Sequence, residues 1–188
     1  MHKQDYLTNQ FLIAMPELAD PNFAQTVTYI CEHNDEGAMG LVINHPVGDM
    51  HLQDVLEHLE LHADDTAVAM WPVYSGGPVQ PDRGFVLHEP LGNWEATLQV
   101  TDSIGITASR DILAAIAAGH GPKRKLIALG YAGWGAGQLE QEIVANAWLN
   151  GPADKDIVFD LAPERRWRSA AAALGVDLSL LSGDAGHA

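Results

Sequence analysis

At 188 residues, with 47% hydrophobic and 19% charged residues, the chain has the composition of a globular protein, which excludes an intrinsically disordered one. Ten basic against twenty-five acidic residues give a formal net charge of −15, a long-range field that argues against phosphate backbones and anionic membranes as partners. A single cysteine, Cys31, cannot form an internal disulfide, so a reducing compartment, the cytoplasm, is expected.

The first apolar run, Phe11 to Met15, is shorter than the roughly 7–15 residues of a secretory signal core, so export is not expected. It reads as a strand, followed by strands over Thr26–Glu32 and Met39–Asn44 joined by the polar turn HNDEGA. Asp20 and Pro21 between the first two open no more than a helical turn. In HLQDVLEHLEL, Leu52, Val55, Leu56 and Leu59 recur at spacings of three and four, which predicts an amphipathic helix. Strands are expected at Trp71–Tyr74, Gly84–Glu89, Trp94–Val100 and Ile104–Ala108, a succession that suggests antiparallel neighbours rather than regular βαβ units.

A second helix is predicted over Ser109–Ala118, with Ile112, Leu113 and Ile116 inward and Gly119 as its stop. Lys125–Tyr131 reads as a buried strand that runs through a GWGAG loop into a helix over Gln138–Asn150. The stretch Leu126–Gly137, with four glycines, is shorter than the ~20 residues of a membrane span, so no crossing is expected. Asp156–Asp160 reads as a last strand, and Pro163 leads into a helix over Glu164–Leu174 ended by Gly175. No repeat, heptad or linker interrupts the chain. One domain over 1–188 is expected, ordered over about 10–180 with flexible termini.

The glycine-rich LGYAGWGAGQLEQE stands where a strand meets a helix, a place where backbone N–H groups could approach an anion. Its spacing is neither GxxxxGK[ST] nor GxGxxG, and Glu140 and Glu142 would oppose a phosphate, so tight turning is the simpler role of Gly130, Gly133, Gly135 and Gly137. Trp134, between glycines in that expected loop, fits a partner anchor. Cys31, Glu32, His33 and His45 hold the materials of a nucleophile pair or metal site, yet alternation places Cys31 with Val27 and Tyr29 as a buried small hydrophobe, and no CxxC or HxxxH spacing is present. Ser75 precedes Gly76-Gly77-Pro78 and lacks the GxSxG context of a hydrolase elbow. Arg83 and His88 lie at opposite ends of one short strand and could bind an acidic group from a cleft. Two basic clusters, Lys123–Lys125 and Arg165, Arg166 and Arg168 around Trp167, are the only footing for nucleic acid.

Taken as strings, FLIAMP, DPNFAQTVTYICEHNDEGAMGLVINHP, YSGGPVQPDRGFVLH, AIAAGHGP and LGYAGWGAGQLEQEIVANAWL resemble the YqgE/AlgH family of bacterial proteins, in its order and spacing from about Phe11 to Gly175. The resemblance implies an α+β fold, a single compact domain with a bent, partly barrel-like mixed β-sheet flanked by helices. Some members carry the label of transcriptional regulator through a link to alginate production. No catalytic residues carry over from it. It marks as a candidate ligand-binding surface Asn44 and His45, then Gly76, Gly77, Arg83 and His88, and in the glycine segment Gly133, Trp134, Gln138 and Glu140.

The leading expectation is a non-catalytic cytoplasmic binding or regulatory module that acts on a protein partner or small ligand, with no cofactor and no metal. One alternative is a small-molecule enzyme drawing on Cys31, His33, His45, Arg83, His88 and Glu140. It requires at least two of these within hydrogen-bond reach in one pocket. The other is a nucleic-acid-binding regulator using the basic clusters, which the charge and the lack of a helix-turn-helix disfavour.

Overall fold

A computed structural model describes residues 6–181. Of the termini expected to be flexible, outside about 10–180, residues 1–5 and 182–188 lie outside the described residues, whereas residues 6–9 are held, with Leu7 buried and Asn9 N donating to Ile30 O. The fold class is α+β, as expected, and backbone contacts divide the chain into two compact units. One comprises the residues up to Asn44 and those from Ala132 onward; the other is His45–Tyr131.

In the first unit, β1 (Gln10–Ala14) lies between β10 (Trp148–Pro152) and β2 (Val27–Asn34), each antiparallel to it. β2 pairs with β3 (Gly37–Val42), and β3 pairs through Gly37–Gly40 with the C-terminal end of β9 (Arg124–Gly135). A register break between Ile30 and Glu32 takes Cys31 out of the ladder. Burial along β2 is nearly continuous, as befits a strand covered on both faces. The helix α6 (Pro163–Ala172) packs on β1 and β2 and is pinned there, because Trp167 Nε1 donates to Ala14 O at 2.9 Å and the Arg166 guanidinium donates to Ile43 O and Leu161 O. A second core groups Leu12, Ile30, Leu139, Trp134 and Trp148, each worth roughly 1.5–3 kcal/mol or more when withdrawn from water.

In the second unit, β4 (Pro46–His51) runs into α1 (Leu52–His58), and α2 (Thr66–Ala69) leads to β5 (Pro72–Ser75). β5 pairs with β4 antiparallel and with β9 parallel, at Val73–Ile127 through Ser75–Leu129. On the other side of β9 stands β6 (Val79–Glu89), then β8 (Gly105–Thr107) and β7 (Thr97–Gln99), all antiparallel. Leu52 and Leu56 of α1 meet Ile112, Leu113 and Ile116 of α3 (Arg110–Ala117) over Val73, Val86 and Ile127. The three-and-four spacing of α1 thus faces where it was expected to.

Three expected elements are corrected. The segment KDIVF folds as α5 (Lys155–Phe159), not a strand, because Asp154 caps it by accepting from Asp156 N at 2.9 Å. The helix expected over Gln138–Asn150 stops at Val144 as α4; Asn146 takes a left-handed φ of 62°, and Trp148 enters β10. The expected GWGAG loop is strand as far as Gly135, since β9 carries the positive φ at Gly130, where a Cβ would run into Gly77 O. Past Gly175, Leu178–Leu180 forms a short 3-10 turn with Leu178 buried, near the expected end of order at about residue 180.

Candidate functional site

Within the second unit, a cleft of about 820 Å³ opens between α1, β6, the start of α3 and β9. That volume lies in the range of small-molecule pockets. Its apolar wall comes from Met50, Val55, Leu59 and Leu129, which are partly buried against the core, and from Leu113, which belongs to that core. Its polar groups are Asp54, His58, Asp82, Arg83, Ser109 and Arg110.

Local chemistry sets each polar group. Asp54 is the third residue of α1, and its Oδ2 accepts from His51 N at 2.9 Å, which commits it to the helix cap. The β6–β9 register breaks between Val79 and Gly84, so the residues leading to Arg83 leave the ladder. Arg83 Nη1 donates to Gln80 Oε1 at 3.2 Å, and its guanidinium lies 5.4 Å from the centre of the Phe85 ring. Arg110, first residue of α3, donates through Nε and Nη2 to Leu59 O at 3.2 and 3.0 Å, a fork held by a fixed carbonyl. The helix start itself is braced: Ala96 N donates to Ser109 Oγ and Glu95 N to Asp111 Oδ2. Desolvation works to raise the Asp111 carboxyl, but hydrogen bonds from Ser109 and backbone amides hold it below its ordinary value. Gly84 also lines the cleft, and a Cβ built there would meet no atom within 4 Å.

Of the residues expected at a site, Arg83 alone lines this cleft. His88 is fully buried: its Nδ1–H donates to Pro90 O at 2.9 Å, and Nε2 is 2.7 Å from Thr107 Oγ1, which in turn is 2.7 Å from Thr97 Oγ1. Burial lowers its pKa below the ordinary histidine value, partly offset by the Pro90 bond. His45 is half-buried, with its pKa lowered by the same desolvation, and its carbonyl accepts from Ser75 N. Gly76 N donates to Leu129 O, and Gly77 provides the carbonyl against which Gly130 is packed.

In the first unit, Asn44 bridges backbone, accepting from Val27 N and donating to Gln25 O, both at 2.9 Å. Trp134 is a correction: it is buried in β9, not mounted on a loop tip, and it packs edge-to-face with Trp148 and at a tilt against Phe23. Its Nε1 donates to Glu142 Oε1 at 3.2 Å, and Trp148 Nε1 donates to the same oxygen at 3.0 Å. Gln138 donates to the other oxygen of Glu142 and accepts from Gly135 N. Gly133 pairs with Met39 in the ladder. Glu140 accepts from His33, whose Nδ1 accepts from Leu7 N, so the ring proton sits on Nε2. Cys31 is buried, and desolvation raises its thiol far above the ordinary range.

The basic clusters are taken up in part, while Lys123, Arg165 and Arg168 are exposed. Arg124 reaches Glu89 at 3.9 Å, and Lys125 Nζ sits 4.3 Å from the Trp71 ring centre. Arg166 and Trp167 are buried. Among the described residues no group of three histidine, cysteine or acidic side chains is placed to hold a metal, and no helix is long and apolar enough to cross a membrane.

A family model, DUF179, described as AlgH-like, matches residues 11–179. The chain belongs to the AlgH-like family. Among AlgH-like relatives, a UPF0301 protein of Thioalkalivibrio sulfidiphilus is 64% identical over 96% of both chains, and one of Nitrosococcus oceani 57% identical over 97% of both. The solution structure of AlgH from Pseudomonas aeruginosa is similar at a TM-score of 0.81 and 56% identity, covering 100% of this chain and 99% of that one. A Corynebacterium diphtheriae protein shares the fold at a TM-score of 0.73 and 19% identity, over 97% of this chain and 94% of that one.

The other cleft residues were not singled out in the sequence. Arg110 stood at a predicted helix start and Leu59 on a predicted apolar stripe, but neither pattern says that a stripe's edge borders a cavity. Gly84, at the change from charged Asp82 and Arg83 to apolar Phe85 and Val86, was the available signal, a small residue where a strand needs none.

Proposed function

We propose that this AlgH-like protein is a non-catalytic cytoplasmic binding module that takes a small ligand in the cleft of the His45–Tyr131 unit. The observation that carries this reading is the cleft itself, about 820 Å³ of space with an apolar wall and a few convergent polar groups. The acceptor and donor atoms that an enzyme would draw on are engaged elsewhere. The Cys31 thiol is buried and kept protonated, His33 spends both ring nitrogens on Leu7 and Glu140, and His88 spends both on Pro90 and Thr107. A nucleophile without an adjacent base has no activation.

The test is a thermal-shift screen of the whole protein against apolar, amphipathic and nucleotide-like small molecules, run beside Gly84→Leu. A ligand at ~100 times its Kd adds roughly 2.7 kcal/mol, which at about 2–4 °C per kcal/mol for this size is readily seen. Stabilising compounds should lose their effect in Gly84→Leu, whose added side chain enters open space at the cleft. A screen with no hits, or hits that persist in the variant, would remove the cleft as the binding site.

A further inference from the structure

We infer that the cleft selects a free small amphiphile with a carboxylate head on an apolar body, and that Arg83 and Arg110 hold the head; this rests on the cleft being the ligand site. The argument starts from charge. Two arginines line one apolar-walled cavity, and among the described residues neither lies within 4.0 Å of a carboxylate. Neither arginine is neutralised by an ion pair, so each is open to an acidic group that enters the cleft. Guanidinium groups are always charged and match a carboxylate through paired N–H donors.

Each arginine is also pre-positioned with donors to spare. Arg110 commits Nε and Nη2 to Leu59 O, and Arg83 commits Nη1 to Gln80. Among the described residues Nη1 of Arg110, and Nε and Nη2 of Arg83, make no hydrogen bond, so one planar fork and one partial fork remain for a ligand. Asp54 and Asp82 line the same cleft. Asp54 spends Oδ2 on the α1 cap, while Asp82, Arg83 and Arg110 are all exposed; the two arginines are the cations of the cleft, each oriented by a hydrogen bond to a neighbouring oxygen. The apolar wall of Val55, Leu59, Leu113 and Leu129 would take the ligand's hydrocarbon and withdraw it from water.

The experiment is calorimetric titration of the whole protein with octanoate, octanol and octylamine, below their aggregation limits, for wild type, Arg83→Gln, Arg110→Gln and Gly84→Leu. Thermal midpoints confirm that each variant is folded, and Gly84→Ala replaces Gly84→Leu if the latter is not. Octanoate should bind at least tenfold tighter than octanol or octylamine. Each arginine variant should weaken octanoate by about tenfold, roughly the worth of one charge-assisted contact, and leave octanol unchanged. If octanol or octylamine binds as well as octanoate, and Gly84→Leu abolishes all three, the cleft is a ligand site but the carboxylate assignment is wrong. If no probe binds, or Gly84→Leu binds octanoate like wild type, the cleft reading and this inference fall together.

Discussion

His33 Nε2 lies 2.5 Å from Glu140 Oε1, joining β2 to α4 across 107 positions of sequence. The ring is buried and its other nitrogen accepts from Leu7 N, so the contact ties three chain segments with one side chain. Removing the acceptor leaves a buried N–H with access to water only through the part-exposed Glu140 position. Glu140→Ala should therefore cost about 1–2 kcal/mol, and Glu140→Gln, which keeps an acceptor oxygen, less than half of that. Urea denaturation of the three proteins measures the difference; equal midpoints for Ala and wild type would mean that the pair is energetically idle.

Glu142 gathers two indoles and Gln138 on its carboxylate. Trp134→Ala empties part of a packed aromatic cluster and should destabilise by about 3–5 kcal/mol. Glu142→Ala should cost less, and it should shift tryptophan emission, because Trp134 and Trp148 lose the same partner. A Trp134→Ala protein as stable as wild type would contradict the burial of this ring.

The elements that the sequence disclosed are those whose own residues decide them. The stripe of α1 and the hairpin of β2 and β3 were legible because their periodicity is local. α5 was not, since Ile157 and Val158 are β-branched and the competing signal, the Asp154 cap, is a single side chain. β4 was missed because it begins at Pro46 and is mostly exposed, with no apolar alternation to mark it. The cleft was legible only at Arg83, for it is assembled from segments near residues 50–59, 82–84, 108–113 and 129, whose proximity follows from strand pairing rather than from any local pattern.

Stability should fall on acidification from about pH 6.5 downward. His88 and His45 both have pKa values below the ordinary 6.5 because burial disfavours their charged forms. Between the lowered value and 6.5 the unfolded chain binds more protons than the folded one, so stability rises with pH across that window and is fully present above it. Urea midpoints from pH 8 to 5 should show this slope, and His88→Gln should make it shallower. A variant with the wild-type slope would place the effect on other groups.

Cys31 should be inert in the folded protein. Its thiol is buried and shifted away from thiolate formation, so a disulfide reagent at pH 8 should modify it only at the rate of unfolding, and immediately in denaturant. Fast modification under native conditions would show that β2 opens locally.

The cleft is tested most directly by methyl NMR during titration with octanoate, octanol and octylamine. The account predicts saturable shifts at Val55, Leu59, Leu113 and Leu129, none at Leu12 and Ile13 of the first unit, and loss of the shifts in Gly84→Leu. Shifts absent from the cleft methyls with all three probes, or unchanged in Gly84→Leu, would contradict it.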